Sequence, residues 1–211
     1  MALNMAYIEN GSDSRKWVCE NDLPNIFLIG DSIRKGYCNT TVEAMAGKAH
    51  VIFPDDNCRN SQYILTRLRA WSQEYDGEHM DVVQFNCGQW DCAHFNGDPD
   101  PLTEVEAYGK NIKRIVMNIR KLFPKAKLIF ATTTPINPTQ PEAVNPRTTA
   151  DVRRYNAAAL SALEGENIPV NDLFAVAENW DESYYKDICH LQPEGYEKLG
   201  LATAKFLQRF L

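Results

Sequence analysis

Short apolar segments recur along the chain and are rich in β-branched and aromatic residues. Runs of this length between turn-forming residues are typical of strands that are buried on both faces of a sheet. We therefore predict five buried strands, at residues 26–29, 51–53, 82–85, 128–131 and 168–170.

Between these segments the apolar residues follow the spacing of helices. The strongest pattern lies after the third segment and comprises Val105, Tyr108, Ile112, Ile115, Ile119 and Leu122. Thr103 and Glu106 have the spacing of a capping box, which predicts where this helix begins. Similar patterns cover residues 65–71 and 152–163, and a last helix is predicted to begin near Pro193.

Strands and helices thus alternate, which predicts an α/β protein whose mainly parallel sheet is covered by helices on both faces. In such sheets ligands bind beyond the carboxyl ends of the strands. The loop at residues 132–146 leaves the fourth strand at this end, and its four prolines preclude regular structure. We therefore expect this loop to form one wall of a binding site.

Length and composition fit one domain. We expect it to span residues 1–211, with residues 1–24 as an N-terminal extension packed on it. The net charge of −6 argues against a nucleic-acid partner. No apolar stretch approaches the roughly 18 residues that span a bilayer, so no membrane association is expected. No secretory leader is visible, which predicts a cytoplasmic protein, and the sequence predicts no particular oligomeric state.

Six cysteines lie far apart in the chain, and this spread predicts free thiols rather than a disulfide scaffold. The alternative is a zinc site, for which Cys87, Cys92 and His94 form the best local group. No Cys-x-x-Cys pair accompanies that group, so we expect no metal.

Candidate catalytic residues lie near the two ends of the chain. Ser32 follows the first predicted strand in the turn Gly30-Asp31-Ser32, which would expose its hydroxyl. Near the other end, Asp187 precedes His190 by three residues, so one short turn could supply the acid and the base of a Ser-His-Asp triad. A serine hydroxyl needs such a base, because it is a poor nucleophile until its proton is removed.

On these residues the chain resembles the SGNH/GDSL hydrolase family, over about residues 25–196. The first block of that family is similar to Ile29-Gly30-Asp31-Ser32, and its last is similar to Asp187-Ile188-Cys189-His190. The resemblance implies a flavodoxin-like three-layer α/β/α sandwich with a central, mainly parallel five-stranded sheet. It also implies a serine esterase of the acetylesterase type that uses Ser32, His190 and Asp187 and needs no metal or organic cofactor.

The resemblance further implies an oxyanion hole, the set of hydrogen-bond donors that holds the negative oxygen of the reaction intermediate. Ser32 would contribute its own N–H. The second block usually has a glycine donor, and the best register puts Cys58 there; the third block has Trp90 where the family has asparagine. We predict that Asn86 supplies the missing amide, with Gln89 as its rival.

Four residues near these blocks are candidates for substrate contact, namely Asp31, Gln89, Trp90 and His94. Asp31 could instead brace the nucleophile turn, and Arg34 and Arg59 could bind an anionic part of a substrate. The resemblance implies small acyl esters, acetyl esters first among them and possibly on carbohydrate, as substrates.

Two other functions remain open from the sequence. The same fold could serve as a catalytically silent module that binds a glycan or another small molecule, with Trp90 filling an abandoned oxyanion pocket. It could also bind a phosphate or nucleotide at the turn after the first strand. The glycine-rich phosphate motifs are missing, and Asp31 puts a carboxylate where the anion would lie, which disfavours this last function.

Overall fold

The computed structural model describes Tyr7–Ile8, Lys16–Trp17 and residues 22–211. Tyr7–Ile8 (β1) and Lys16–Trp17 (β2) pair as a small antiparallel sheet. The strands of the main sheet are Asn25–Ile29 (β3), His50–Ile52 (β4), Val82–Phe85 (β5), Lys127–Ala131 (β6) and Val170–Asn171 (β7). All neighbouring pairs of this sheet are parallel, and their order is β4-β3-β5-β6-β7. This is the strand order of flavodoxin-like sheets, so the predicted fold is confirmed.

Helices connect these strands in sequence. They are Ser32–Ala44 (α1), Ser61–Glu74 (α2), Val105–Leu122 (α3), Thr149–Ala162 (α4), Leu173–Ala177 (α5) and Pro193–Leu207 (α6). Short 3-10 turns lie at Gly77–His79, Glu182–Tyr184 and Gln208–Phe210. No helix in the described part of the chain is long and apolar enough to cross a membrane.

The sheet separates two apolar layers, because successive side chains of a strand point to opposite faces. Phe27 and Ile29 of β3 pack into the layer under α2, α3 and α4. Ile26 and Leu28 pack into the layer under α1 and α6. Burial of both faces of the strand accounts for its continuous apolar run.

The last strand and the third helix begin differently from the predictions. The strand predicted at 168–170 is Val170–Asn171, since Pro169 has no N–H to donate to a ladder and offers only its carbonyl, to Phe130 N at 3.1 Å. The capping box predicted for α3 is wrong, because Glu104 is its N-cap and makes no side-chain cap bond. The N–H of Thr103 donates instead to the carbonyl of Asp91 at 3.0 Å, so Thr103 lies outside the helix.

Two predictions concern the N-terminal part of the chain. The extension predicted at residues 1–24 falls mostly outside the described residues, so its packing on the domain stays a prediction. The described cysteines are all free thiols, and Cys19 lies outside the described residues.

Helices α1 and α6 pack closely, although they lie far apart in the sequence. A Cβ atom added to Gly200 of α6 would lie 2.6 Å from Thr40 Cβ and 2.9 Å from the carbonyl oxygen of Tyr37, both on α1. Thr41 Oγ1 also donates to the Gly200 carbonyl at 3.2 Å. Because glycine lets the backbones approach, the start of α1 and the loop before α6 lie side by side.

Candidate active site

Ser32 is the first residue of α1 and follows a tight turn after β3. Asp31 is the N-cap of α1, and its Oδ1 accepts the N–H of Ile33 at 2.9 Å. Gly30 is needed in the turn, because a Cβ there would lie 2.6 Å from Arg34 Cβ. The N–H of Ser32 is in the first turn of the helix, where backbone N–H groups have no acceptor within the helix.

Asp31 braces this turn and does not contact the cleft. It is fully buried, so the prediction that it contacts substrate is wrong. Burial raises the pKa of Asp31, and the hydrogen bond from Ile33 opposes that effect. Arg34 is also buried and donates through Nε and Nη2 to the Gly30 carbonyl, at 3.3 Å each, so it is not a surface anion site.

Asp187 and His190 lie in a turn before α6. Tyr185 and Leu191 pair across its base as an isolated antiparallel bridge, and Lys186 N donates to the His190 carbonyl at 2.8 Å. Within the turn, Asp187 Oδ1 accepts the N–H groups of Cys189 and His190 at 2.9 and 2.8 Å. The turn therefore fixes the carboxylate before any contact with the imidazole is made.

The structure brings the three predicted triad residues together. His190 Nε2 lies 2.8 Å from Ser32 Oγ, and His190 Nδ1 lies 2.8 Å from Asp187 Oδ2. Ser32 and His190 are separated by 158 positions in the chain. Both contacts are at hydrogen-bond distance, so a proton can pass from the hydroxyl to the ring while the carboxylate holds the other ring nitrogen.

The acid and the base of this group carry opposite pKa shifts. Partial burial favours neutral Asp187, but the two backbone N–H groups and the imidazole outweigh it and lower its pKa. Cys189 Sγ, 3.9 Å from His190 Nδ1, is the main cause that raises the pKa of His190 to about 9. Burial opposes this rise and Asp187 adds to it, so the neutral ring, which can accept a proton, is favoured by alkaline pH.

An open cleft of about 350 Å³ adjoins Ser32 and His190. The ring of Trp90 stacks on Phe95 at its side, with a centroid distance of 5.6 Å. The proline-rich loop borders it as predicted. The cleft residues are Ser32, Asn57, Trp90, Phe95, Glu142, Ala143, Val144, Asn145, Arg147, Asp187, Ile188, Cys189 and His190.

Neither predicted oxyanion donor besides Ser32 is available, which corrects the sequence prediction. The N–H of Cys58 donates to the Gly30 carbonyl at 3.2 Å. The amide of Asn86 donates to the Ala131 carbonyl at 2.8 Å and to Thr133 Oγ1 at 3.3 Å, so both of its N–H groups are engaged. Asn86 holds the ends of β5 and β6 together instead of facing the cleft.

Gln89 and His94 are not among the residues that line the cleft. Gln89 is buried, and its Nε2 donates to the Thr134 carbonyl at 2.9 Å while its Oε1 accepts from Arg147 Nε at 2.9 Å. His94 Nδ1 lies 3.2 Å from the Asp98 carbonyl. Of the four predicted contacts, only Trp90 lies on the cleft.

The zinc site considered for Cys87, Cys92 and His94 does not form. Among the described residues, the one group of metal-ligating side chains close enough to share an ion is Asp187, Cys189 and His190. Cys87 Sγ instead faces Tyr108 Oη at 4.0 Å, and Cys92 Sγ faces the Gln89 carbonyl at 3.9 Å.

Sequence reasoning missed Asn57 and Arg147, which both line the cleft. Arg147 joins three segments, since besides Gln89 it donates to the Asn145 carbonyl at 2.8 Å and to Cys189 Sγ at 2.9 Å. It directly follows the loop that we predicted to form a wall of the binding site. An arginine beside that loop could have been recognised from the sequence as a candidate cleft residue. Asn57 directly precedes Cys58 in the chain but had no spacing that marked it as a site residue.

A buried carboxylate anchors the opposite side of the cleft. Both oxygens of Asp91 accept the N–H of Ser61, at 3.1 and 3.0 Å, and Ser61 Oγ donates to Asp91 Oδ1 at 2.5 Å. Asn111 donates to that same hydroxyl at 3.0 Å. These bonds fasten the start of α2 to the segment that carries Trp90.

Solved structures of esterases share this fold. An acetyl xylan esterase matches with a TM-score of 0.69 at 17% identity, covering 87% of this chain and 99% of that one. A carbohydrate acetylesterase from Sinorhizobium meliloti matches at 0.68 and 12%, covering 89% and 100%. A lipase/acylhydrolase from Enterococcus faecalis matches at 0.69 and 21%, covering 89% and 96%. At these identities the likeness shows the fold.

The sequence itself matches the profile of the GDSL-like Lipase/Acylhydrolase family over residues 28–198, and no curated protein matches significantly. The fold and this match define the class of the protein, an α/β ester hydrolase. The chain belongs to the GDSL-like Lipase/Acylhydrolase family.

Proposed function

We propose that this protein is a serine esterase that cleaves small acyl esters, acetyl esters above all, by way of an acyl-enzyme on Ser32. The observation that carries the proposal is the continuous chain of contacts from Ser32 Oγ through His190 to Asp187, at 2.8 Å each. These atoms border a cleft that is open to substrate. The family match supports ester hydrolysis as the reaction.

In the first half of the reaction, Ser32 Oγ attacks the ester carbonyl carbon while its proton moves to His190 Nε2. The new C–O bond pushes the carbonyl electron pair onto oxygen, which gives a tetrahedral oxyanion. When that pair returns, the bond to the alcohol oxygen breaks, and His190 gives its proton to the leaving alcohol. Asp187 keeps the Nδ1 proton in place and stabilises the imidazolium that forms in between.

In the second half, a water molecule replaces the alcohol. His190 takes a proton from the water as its oxygen attacks the acyl carbon, and the collapse of this second intermediate breaks the bond to Ser32 Oγ. The proton returns to the serine, and the acid leaves. No step of this sequence requires a metal or an organic cofactor.

The residues that line the cleft support a substrate in which a small acyl group is esterified to a sugar hydroxyl. The stacked rings of Trp90 and Phe95 offer a flat apolar face of the kind on which sugar rings pack, and Asn57, Asn145 and Arg147 offer polar groups around it. Two of the structural neighbours are described as an acetyl xylan esterase and a carbohydrate acetylesterase. Both observations favour acetylated carbohydrate over long-chain lipid.

A fluorophosphonate probe tests the mechanism, because only an activated serine reacts with it at a useful rate. We expect mass spectrometry to find the label on Ser32, and Ser32→Ala to abolish both labelling and turnover of p-nitrophenyl acetate. Ser183→Ala, at an exposed serine outside the cleft, is the matched control. A purified Ser32→Ala protein that hydrolyses the ester normally would refute the proposal.

A panel of p-nitrophenyl acetate, butyrate and octanoate with acetylated xylo-oligosaccharides tests the substrate class. We expect kcat/KM to be greatest for acetyl esters and to fall as the acyl chain lengthens. A preference for octanoate would contradict the acetyl assignment. Binding of the oligosaccharide with neither labelling nor hydrolysis would instead identify a silent binding module.

A further inference from the structure

The proposed function does not yet say which groups, besides the N–H of Ser32, donate hydrogen bonds to the oxyanion. A tetrahedral oxyanion needs several donors aimed at one point, and the loss of one of them lowers kcat by about 10²–10³-fold. The backbone N–H of Ser32 is one such donor. The N–H of Cys58 and the amide of Asn86 are committed elsewhere, to Gly30 and to the end of β6.

Three cleft residues, Asn57, Trp90 and Asn145, have a side-chain N–H that no described residue accepts, and of these Asn57 and Trp90 lie in the loops after the two strands that flank β3. Among the residues that the structure describes, none accepts a hydrogen bond from the indole Nε1 of Trp90 or from the Nδ2 of Asn57. Both residues line the same cleft as Ser32. By contrast, Asn86 and Gln89 border a small void of about 10 Å³ behind the nucleophile turn.

The sheet order puts these two residues on opposite sides of the nucleophile. Ser32 follows β3, whose neighbours are β4 on one side and β5 on the other. Asn57 lies in the loop after β4, and Trp90 lies in the segment after β5. Donors from these two loops can therefore approach the same oxygen from two directions, with the Ser32 N–H between them.

Each of the two side chains is held before substrate arrives. Stacking on Phe95 fixes the Trp90 ring, whose backbone belongs to the segment fastened by Asp91. Asn57 Oδ1 accepts the N–H of Arg59 at 3.0 Å, in a turn where Arg59 has a left-handed φ of 50°. That bond commits the Oδ1 of Asn57 to its own loop and leaves the Nδ2 as the free end of the amide.

We propose that Trp90 Nε1 and Asn57 Nδ2 are the side-chain donors of the oxyanion hole and act together with the backbone N–H of Ser32. The inference rests on the proposed esterase function and adds two catalytic residues to it. In this arrangement an indole stands in for the amide that the family resemblance implies at the position of Trp90. The side chain of Asn57 replaces the backbone N–H of Cys58, which donates to the Gly30 carbonyl.

The test for Trp90 removes one hydrogen-bond donor and keeps the aromatic ring. Trp90→Phe retains a ring that can stack on Phe95, and we expect its kcat on p-nitrophenyl acetate to fall about 10²–10³-fold with KM nearly unchanged. Trp90→Asn restores a donor and should recover part of that loss. Trp180→Phe, at a tryptophan outside the cleft, should keep full activity.

The test for Asn57 separates a donor from a turn residue. Asn57→Asp keeps an oxygen for the Arg59 N–H but has no N–H of its own, so we expect a loss of at least about 10²-fold in kcat. Because Asn57→Asp also adds a negative charge, Asn57→Ser is compared with it; its hydroxyl keeps a neutral acceptor for the Arg59 N–H but does not reach as far as the amide, so parent-like activity of Asn57→Ser would show that Asn57 serves only the turn. Asn57→Leu should lose activity as well, and thermal melting of each variant shows whether it has folded.

The outcomes distinguish this inference from the proposed function. If Ser32→Ala keeps its turnover, both are overturned. If Ser32→Ala is inactive while folded Trp90→Phe or Asn57→Asp stays within about threefold of the parent kcat, the esterase function stands and that donor assignment is wrong. Loss in both variants, with rescue by Trp90→Asn and retention in Trp180→Phe, supports the inference.

Discussion

The two sides of the cleft hold their carboxylates differently; the serine side comprises Ser32, Asp187 and His190, and the opposite side comprises Trp90 and Asp91. On the serine side, Asp187 is half exposed and its pKa is lowered, so it stays ionised beside His190. On the opposite side, Asp91 is fully buried and its pKa is raised to about 6. The first carboxylate is placed to stabilise a charge that forms during reaction, whereas the second fastens two segments of the fold.

The two sides also differ in how well their residues match the sequence blocks on which the resemblance rests. The serine side keeps the Gly-Asp-Ser and Asp-x-x-His blocks, and its atoms meet at hydrogen-bond distances. The opposite side has exchanged its expected amide for Trp90, and the residues around it have found other partners. The nucleophile, base and acid must therefore be particular residue types. An oxyanion hole needs only N–H groups at the right place, and several residue types can supply them.

The largest effect within this comparison is expected for Asp187→Asn. An amide can donate to His190 Nδ1, which would favour the wrong tautomer and leave Nε2 protonated and unable to accept from Ser32. We expect kcat to fall by about 10³–10⁴-fold, measured on p-nitrophenyl acetate at the pH optimum of the parent.

His190→Ala should lose at least as much, since it removes the base itself. Asp181→Asn is the control, at an exposed aspartate that caps a neighbouring turn and lies outside the cleft. Unchanged turnover in folded Asp187→Asn would show that the carboxylate is structural only.

A site residue can be predicted from the sequence when its role depends on residues close to it in the chain. The strand, turn and helix around Ser32 and the Asp-x-x-His turn are local patterns, and both were predictable. The commitment of the Asn86 amide to the Ala131 carbonyl joins residues 45 positions apart and has no local signature. For the same reason the burial of Gln89 and the position of Asn57 on the cleft could not be predicted.

The fold shows the same limit. Alternating apolar runs and helical periods predicted the parallel sheet and its two covering layers, because both faces of each strand must be apolar. Thr103 and Glu106 have capping-box spacing, yet Thr103 is committed to Asp91 by a contact that only the tertiary structure makes. Local spacing therefore predicted that the helix exists but not how it begins.

Gly200→Ala should break the contact between the two halves of the serine side. The added methyl would lie within 3 Å of Thr40 and the Tyr37 carbonyl, and the backbone oxygen cannot rotate away. We expect a loss of about 1–3 kcal/mol in the free energy of unfolding. A displacement of α6 would also separate His190 from Ser32 and lower kcat by up to about 10²-fold.

Urea denaturation and steady-state kinetics measure these two effects. Leu201→Ala is the matched control, because the next residue of the same helix is about half exposed and its truncation leaves the contact with α1 intact. Parent-like stability and activity in Gly200→Ala would mean that the approach of α1 and α6 does not set the distance between Ser32 and His190.

Asp91→Asn tests the buried carboxylate of the opposite side through stability. Burial raises the pKa of Asp91 from 3.8 to about 6, so the folded protein binds its proton more tightly than the unfolded chain does. The stability due to this group is present in full at low pH and declines as pH rises from about 4 to about 6. Across this pH range Asp91 should lower the free energy of unfolding by at most about 3 kcal/mol. The variant should lack this pH-dependent loss.

The measurement is the difference in free energy of unfolding between parent and variant at several pH values across this window. Taking the difference cancels the contributions of other carboxyls, including Asp31 and Asp187, which titrate in both proteins. A flat difference for Asp91→Asn would argue against a raised pKa at that site.

The smallest effect is expected for Cys189→Ala, and it concerns the pH at which the serine side works. Cys189 Sγ is the main cause that raises the pKa of His190 to about 9, with Asp187 contributing and burial opposing. Because the neutral ring is the base, kcat/KM of the parent should rise with pH through this range and be lost below it. Removing the sulfur should lower the pKa of His190 and move the rise in kcat/KM to lower pH.

This shift should leave the maximal rate within about tenfold of the parent, since the N–H of residue 189 still donates to Asp187 and the triad contacts remain. Cys92→Ala removes a buried sulfur that faces Gln89 and should not move the profile. A Cys189→Ala profile that coincides with the parent's would assign the raised pKa to Asp187 alone. The pH dependence of the reaction would then be determined by His190 and Asp187, without a contribution from Cys189.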